Sequence, residues 1–297
     1  MAASLTCAHA QTVTDGLMMP KKIFCGGFLY GHEQWKDYWE GSLKRENGNI
    51  GTVTTQSVMF MGTYGLSSRI NLIAMAPYVW TRATQGTLHS MEGLQDITLA
   101  AKYRAFRTES DFGVLNAFGV FSFSTPLTNY SADFYPLSIG TASTRLSYRG
   151  TVNYATKMGL YLNASAAYTW RSNVTLDRPA YFTNNQLYLT DAVYMPNTFD
   201  WNVDLGYHKG PLQVVAFFMR QNTLGGSDIR RQDMPFVSNR MNASRIGALV
   251  MYYMPWPKNF AVRATANYVT DGRNVGQSTG YAAGFLYTVY FTKKDQQ

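Results

Sequence analysis

Charged residues, cysteines and long apolar runs are all scarce in this sequence of 297 residues. Charged side chains make up 15% of it, against about 25% in ordinary soluble domains. The longest uncharged stretch, 47–68, is interrupted by Thr, Gln, Ser and Gly, so it cannot form a spanning helix of about 20 apolar residues. Cys7 and Cys25 are too few for a disulfide framework and lack the spacing of metal ligands. These absences exclude a helical membrane protein and a disulfide-stabilised domain.

Motifs for nucleic acids and cofactors are absent as well. The formal net charge is +8, yet no basic run exceeds two residues and no zinc-finger or RNA-recognition spacing occurs. The sequence has no phosphate-binding P-loop, no dinucleotide-binding glycine motif, no nucleophile elbow and no paired-histidine motif. It therefore predicts a protein that is not an enzyme, with no nucleic-acid partner, no cofactor and no metal ion.

What the chain does contain is a mixture of apolar and small polar residues. Hydrophobic residues make up 46% and aromatic residues 15%, yet the mean hydropathy is only −0.20. Such an average arises when lipid-facing and lumen-facing side chains alternate along the strands of a transmembrane β-barrel. Because residues i and i+2 of a strand share a face, each strand should then have one apolar and one polar set.

This alternation is sharpest at 199–208. One face has Phe199, Trp201, Val203, Leu205 and Tyr207, and the other has Asp200, Asn202, Asp204, Gly206 and His208. The same pattern recurs at 97–106, 142–155, 160–171, 260–269 and 281–291. Six further segments are strand-like in composition but ambiguous in face: 22–34, 52–63, 69–82, 112–124, 212–221 and 245–254. The sequence thus predicts about twelve strands.

The connections between these strands alternate in length. Short turns are predicted at 64–68, 107–111, 156–159, 208–211 and 255–259, with longer loops at 35–50, 83–92, 125–141, 172–196 and 223–243 and a small one at 271–276. An even strand count with both termini on the short-turn side is the plan of outer-membrane barrels. Aromatic residues also gather near both strand ends, which the alternative of a soluble β-sandwich does not require. The predicted fold is all-β: a transmembrane, up-and-down antiparallel β-barrel with short periplasmic turns and longer extracellular loops in a Gram-negative outer membrane.

The first ten residues have the form of a cleaved export signal. Ala8-His9-Ala10 before Gln11 is a small-x-small cleavage motif, although the residues ahead of it include no Lys or Arg. We interpret 1–10 as the remnant of a signal peptide and 11–297 as a single barrel domain. A flexible amino terminus is the alternative.

Three segments carry a family resemblance. The run 64–73, the pair Pro77-Tyr78 and the run 93–97 resemble the outer-membrane proteins grouped under the meta-pathway of phenol degradation. The resemblance extends from about Gln56 to the end of the chain. It implies an outer-membrane channel or transporter, in some members encoded beside the catabolism of aromatic or other hydrophobic compounds.

Charged residues of the inward face are the candidate selectivity elements of such a channel. They are Arg69, Lys102 and Arg104 toward the periplasm, Arg149, Asp200 and Asp204 near mid-depth, Arg145 and Arg171 toward the outer mouth, and Arg263 on the inward face of a late strand. An equally physical interpretation is a structural ion-pair network in which Arg145 and Arg149 pair with Asp200 and Asp204. Twelve strands lie between the filled eight-stranded and the open sixteen-stranded barrels, so we expect a constricted lumen.

The loop 35–45 provides candidate ligand-binding residues. It combines Trp35, Tyr38 and Trp39 with several charges, so it could bind a solute or lipopolysaccharide, or fold inward and pack. The expected partners are membrane lipids, lipopolysaccharide, a small-molecule solute and other envelope proteins.

Two other functions compete with passive uptake of small, hydrophobic or aromatic solutes. The first is an outer-membrane lipid hydrolase with a surface Ser/His site, for which His89-Ser90 and His32 are the available residues. The second is a plugged structural barrel within an envelope complex.

Overall fold

Twelve long strands dominate the computed structural model, which describes residues 12–230 and 235–291. The interpretation of 1–10 as a signal-peptide remnant therefore lies outside the described residues, and the division at Gln11 stays a prediction. The strands are β1 (Ile23–Trp35), β2 (Val53–Gly65), β3 (Ile70–Ala83), β4 (Asp96–Glu109), β5 (Gly113–Pro126), β6 (Arg145–Thr156), β7 (Leu160–Arg171), β8 (Thr198–Lys209), β9 (Leu212–Thr223), β10 (Asn242–Tyr253), β11 (Phe260–Arg273) and β12 (Thr279–Tyr290).

These strands close into a barrel. Each pairs antiparallel with the next along the chain, and β1 also pairs with β12, from Ile23 opposite Tyr290 to Gln34 opposite Thr279. Closure leaves no free sheet edge, as a lipid environment requires, because every backbone polar group then has a partner. The predicted all-β, twelve-stranded antiparallel barrel is confirmed.

The two faces of the wall have opposite character. On β8, Leu205 points outward and is 59% exposed, whereas the neighbouring inward residue Asp204 is 8% exposed and Asn202 is 2% exposed. Large apolar side chains on the outside and buried polar ones on the inside invert the arrangement of a soluble protein. This inversion is the property that alternation in the sequence predicted.

Two strands continue at least three residues past their predicted carboxyl ends. β4 continues beyond Phe106 to Glu109, where it pairs with Val114, and β11 continues beyond Val269 to Arg273. A register shift interrupts the ladder between Arg104 and Phe106, and another lies at Ser244 and Arg245. A bulge exchanges the two faces of a strand, so alternation alone could not follow these strands to their ends.

The extracellular loops form a cap with its own apolar core. Ala132, Val174, Leu176, Tyr181, Val193, Met195, Phe236 and Val237 are buried together and come from the loops 127–144, 172–197 and 224–241. Arg178 and Asp133 join two of these loops by a bidentate ion pair at 2.5 and 2.7 Å. In the described ranges, no helix is long and apolar enough to cross a membrane.

Candidate functional site: the barrel lumen

The segment before β1, residues 12–22, turns back into the periplasmic half of the lumen. We call it the inner plug. Met19 is 1% exposed among Ile23, Met61 and other lumen residues. Gly16 lies against the opposite wall, where a Cβ would meet the Cβ of Asn153 at 2.4 Å. Only glycine permits this approach, so the inner plug crosses the lumen rather than lining one side of it.

An ion pair fixes the inner plug to the barrel. Lys102 of β4 is fully buried, and its Nζ donates to Asp15 Oδ1 at 2.8 Å and to the Asp15 carbonyl at 2.5 Å. The ring of Phe118 lies 5.2 Å from the same ammonium. A buried lysine needs such a partner because an isolated ammonium is costly in a low-dielectric interior.

Strands β6 to β8 carry a continuous polar network. Arg149 of β6 forms an ion pair with Asp200 and donates to Ser165 Oγ at 2.8 Å and to Asn202 Oδ1 at 3.1 Å. Asp204 accepts from Asn202 at 2.9 Å and from Asn163 at 3.4 Å. Because these groups satisfy one another within the wall, the geometry favours a structural network for Arg149 over a charge that faces a passing solute.

A cavity of about 190 Å³, lined by both apolar and polar side chains, remains beside the inner plug. Asp15, Asp204 and Arg263 contribute its charges. Three buried polar atoms in its wall, Gln213 Oε1, Arg263 Nε and Thr265 Oγ1, have no protein hydrogen-bond partner. A cavity with this volume and these groups accommodates water, which would satisfy them.

A larger cavity, of about 440 Å³, lies at the extracellular end of the lumen. We call it the outer chamber. Arg145 pairs with Asp96 at 2.6 Å, and Arg245 pairs with Glu33 at 3.2 Å. Asp96 also accepts from the hydroxyl of Tyr130 at 2.5 Å, and burial together with this carboxylate raises the pKa of Tyr130. The phenol therefore stays neutral and donates to Asp96 across the whole physiological pH range.

A narrow layer separates the two cavities, and no described residue lines both. On β10, Arg245 belongs to the outer chamber and Leu249 to the inner cavity, with Gly247 between them. The ring of Phe217 covers Gly247 so closely that a Cβ there would lie 2.3 Å from its Cζ. The lumen is therefore constricted at mid-depth as well as by the inner plug.

The sequence candidates fall at three positions. Arg145 and Arg171 line the outer chamber, together with Trp35 and Tyr38. Lys102, Arg149, Asp200, Asp204 and Arg263 lie inside the lumen at or below mid-depth. Arg69 is exposed in the turn before β3, and Arg104 donates to the Ser68 carbonyl beside it, so both lie at the periplasmic rim.

Trp39 packs inside the protein, which is the second of the two interpretations of this loop. It is 7% exposed and its ring packs against Gly272 of β11, so it does not line the outer chamber. In the loop hairpin of Asp37–Glu40 with Leu43–Glu46, Trp39 is buried and Tyr38 is half-buried. Sequence reasoning also missed Asp15, Glu33, Asp96 and Tyr135, which the fold brings to the lumen.

The two histidines considered for a lipid-hydrolase site, His32 and His89, lie on different parts of the fold. His89 is exposed in the loop between β3 and β4, and His32 lies on the outward face of β1. Within residues 12–230 and 235–291, no hydrogen bond joins either of them to a serine, and no three His, Cys, Asp or Glu side chains are arranged to hold a metal ion.

A closed wall with an apolar exterior and a polar interior defines a bacterial outer-membrane β-barrel. The chain belongs to the family described as the putative MetA-pathway of phenol degradation, whose model matches residues 46–285. The family resemblance in the sequence is thereby confirmed. No curated protein matches the chain.

Several solved structures share the fold. An outer membrane channel from Pseudomonas putida F1 is 11% identical, with a TM-score of 0.70 over 91% of this chain and 97% of that one. The NanC porin is 10% identical, with a TM-score of 0.47 over 88% of this chain and 98% of that one. The KdgM porin is 10% identical, with a TM-score of 0.43 over 89% and 99%. At such identities the likeness to the first structure establishes the barrel fold alone.

Proposed function

We propose that this protein is a passive channel for small organic solutes, including hydrophobic and aromatic ones, in the outer membrane. The observation that carries the proposal is a lumen with two cavities, of about 440 and 190 Å³, in series along the barrel axis. A barrel that served only as a membrane anchor would gain stability by filling both spaces, because close packing adds dispersion contacts.

The inner plug is the element that must yield for a solute to cross. It has no regular secondary structure and is held by the Lys102–Asp15 pair and by the burial of Met19. Such contacts are non-covalent and few, so local displacement costs far less than opening the barrel wall. Opening in this way requires no energy source, as passive uptake demands.

The size and lining of the outer chamber support a small organic solute. Its volume lies within the range of about 300–1,000 Å³ found for small-molecule sites. Trp35, Tyr38 and Tyr135 provide aromatic surface beside charged groups. The description of the family also mentions phenol degradation, which agrees with an aromatic class of solute.

Reconstitution in planar bilayers tests this function. Wild-type protein should give small, brief, voltage-independent openings, and the Gly16→Val variant should give larger and longer ones because a side chain cannot fit against Asn153. Liposomes containing either protein should admit a neutral aromatic alcohol faster than empty liposomes do. The proposal fails when neither protein conducts nor passes any solute.

The inner plug is also the one feature that favours a closed structural barrel in an envelope complex. The same bilayers distinguish the two functions, because a structural barrel would stay silent in both proteins. Stable co-purification with other envelope proteins would then support the structural role.

A further inference from the structure

The charges in the outer chamber do not balance. Among the described residues, its wall includes three arginines, Arg145, Arg171 and Arg245, and two carboxylates, Asp96 and Glu33. Each carboxylate already accepts from one arginine, at 2.6 Å for Arg145 and 3.2 Å for Arg245. Arg171 is the third arginine, for which neither carboxylate is the ion-pair partner. Its guanidinium donates to the Pro196 carbonyl at 3.4 Å, and no carboxylate within residues 12–230 and 235–291 pairs with it.

Other side chains in the wall of the outer chamber also have hydrogen-bonding groups without a described protein partner. Arg145 Nε and Thr141 Oγ1 are buried in the same wall and have no protein partner. The Tyr135 hydroxyl borders the chamber, and no described group accepts its proton. Burial raises the pKa of Tyr135, so this phenol is a donor at neutral pH. A partly buried cation in the same cavity as several hydrogen-bond donors that lack a protein acceptor is an arrangement that binds an anion.

The rest of the chamber is suited to a flat ring. Trp35 and Tyr38 lie with their ring centroids 6.3 Å apart, and Tyr135 enters the chamber from the loop 127–144. Aromatic surfaces bind other aromatic rings by offset or edge-to-face contact, with a free energy gain beyond simple burial. A ligand that used both features would combine one negative charge with one ring.

We propose that the outer chamber contains a binding subsite for aromatic monocarboxylates, in which Arg171 pairs with the carboxylate and Trp35, Tyr38 and Tyr135 contact the ring. A single negative charge matches the single uncompensated guanidinium, whereas a dianion would leave a charge unpaired. Arg171 sits at the end of β7, and its backbone amide is held by Asn197 Oδ1 at 3.1 Å, so the subsite is largely preformed. This inference rests on the proposed channel function, since it names the class of solute that the channel would select.

Binding in detergent micelles tests the subsite without any need for conduction. Isothermal titration of the wild-type protein would compare benzoate, acetate, benzyl alcohol and benzylamine at equal ionic strength. Benzoate should bind, acetate and benzyl alcohol should bind at least about tenfold more weakly because each lacks one of the two interactions, and benzylamine should not bind. The subsite is wrong when benzoate does not bind, or when benzyl alcohol binds equally well.

The Arg171→Gln variant identifies the group responsible. It should weaken benzoate binding roughly tenfold or more and leave benzyl alcohol binding unchanged, and Arg171→Lys should retain part of the affinity. Arg107→Gln, with the same change of charge at the exposed periplasmic rim, is the matched control and should bind like wild type. Unchanged benzoate affinity in Arg171→Gln overturns the assignment, and the wild-type ligand series still decides the proposal where this variant fails to fold.

The two proposals can fail separately. Benzoate binding in micelles together with silent bilayers removes the channel function and keeps the subsite. Conduction without benzoate binding removes the subsite and keeps the channel.

Discussion

The outer and inner halves of the lumen differ in what fills them. Extracellular loops surround the outer chamber, whose two ion pairs leave Arg171 without a carboxylate partner in the described part of the chain. The inner half instead contains a segment of the chain itself, docked on Lys102 and against Asn153. Its polar wall is internally paired around Arg149.

This difference separates two tasks that a channel must perform. The outer half offers unpaired groups and free volume, which are properties of a binding region. In the inner half, Lys102 and Arg149 are paired with carboxylates and a displaceable segment closes the lumen, which are properties of a barrier. Under the proposed function, selectivity and closure would therefore depend on different residues, and each could be altered while the other is kept.

The Arg149→Met variant is expected to have the largest effect, and the effect should be on stability. Removing the guanidinium leaves Asp200 in the wall without its cation, which costs about 3 kcal/mol by comparison with other buried pairs. Urea unfolding in detergent would measure the loss, with Arg107→Met at the exposed rim as a control that should stay near wild type. A change in ion selectivity with unchanged stability would instead make Arg149 a selectivity element.

The Gly16→Val variant should open the inner half without altering the outer one. The added side chain collides with Asn153 only when the inner plug is docked, so overpacking of about 2 kcal/mol favours the displaced state by more than tenfold. Bilayer recordings should show larger conductance, while benzoate binding in micelles stays unchanged. Gly48→Val, in an exposed loop where a Cβ meets no atom within 4 Å, is the matched control.

The barrel was predictable from the sequence, whereas the inner plug was not. Strand faces follow a two-residue period that the lipid imposes, so residues 199–208 alone indicate a membrane wall. Residues 12–22 have no regular alternation of apolar and polar residues, because each of their contacts with the barrel wall depends on a different pair of side chains. One signal was available: Lys102 is predicted to face the lumen, where a lysine requires a carboxylate, and the partner is Asp15.

The ion pairs of the outer chamber show a second limit. Arg145 on β6 reaches Asp96 on β4, across the intervening strand β5, and Arg245 on β10 reaches Glu33 on β1. Alternation predicts that these side chains face inward but not which of them meet across the lumen. Among the described residues Arg149 is paired with Asp200 and Arg171 with no carboxylate, which supports a structural role for Arg149, while the choice between selectivity and structure for the inward charges stays a prediction.

The Lys102→Met variant should loosen the inner plug by less than the steric substitution does. Loss of charge-assisted hydrogen bonds to Asp15 costs about 1.5 kcal/mol, since Asp15 keeps hydrogen bonds from Thr12 and Leu17 and is partly exposed to water. Openings should become more frequent, and Asp15→Asn should have a similar but smaller effect. Equal opening frequencies in wild type and Lys102→Met would show that Met19 burial alone holds the inner plug.

The smallest expected effect concerns pH and belongs to the outer half. Arg273 and Asn274 hold the pKa of Asp228, in the loop 224–241, below its ordinary value of 3.8. A lowered carboxylate pKa stabilises the folded loop above the ordinary pKa, and this stabilisation is lost as the pH falls through the lowered value. Both side chains are substantially exposed, so the contribution is below about 1 kcal/mol.

Channel noise from loop fluctuation should therefore rise only below pH about 4, and Asp228→Asn should show the same noise at pH 7. If the noise of Asp228→Asn still rises when the pH is lowered from 7 to below about 4, another carboxylate causes the acid transition. Asp133, which pairs with Arg178, is the most similar candidate.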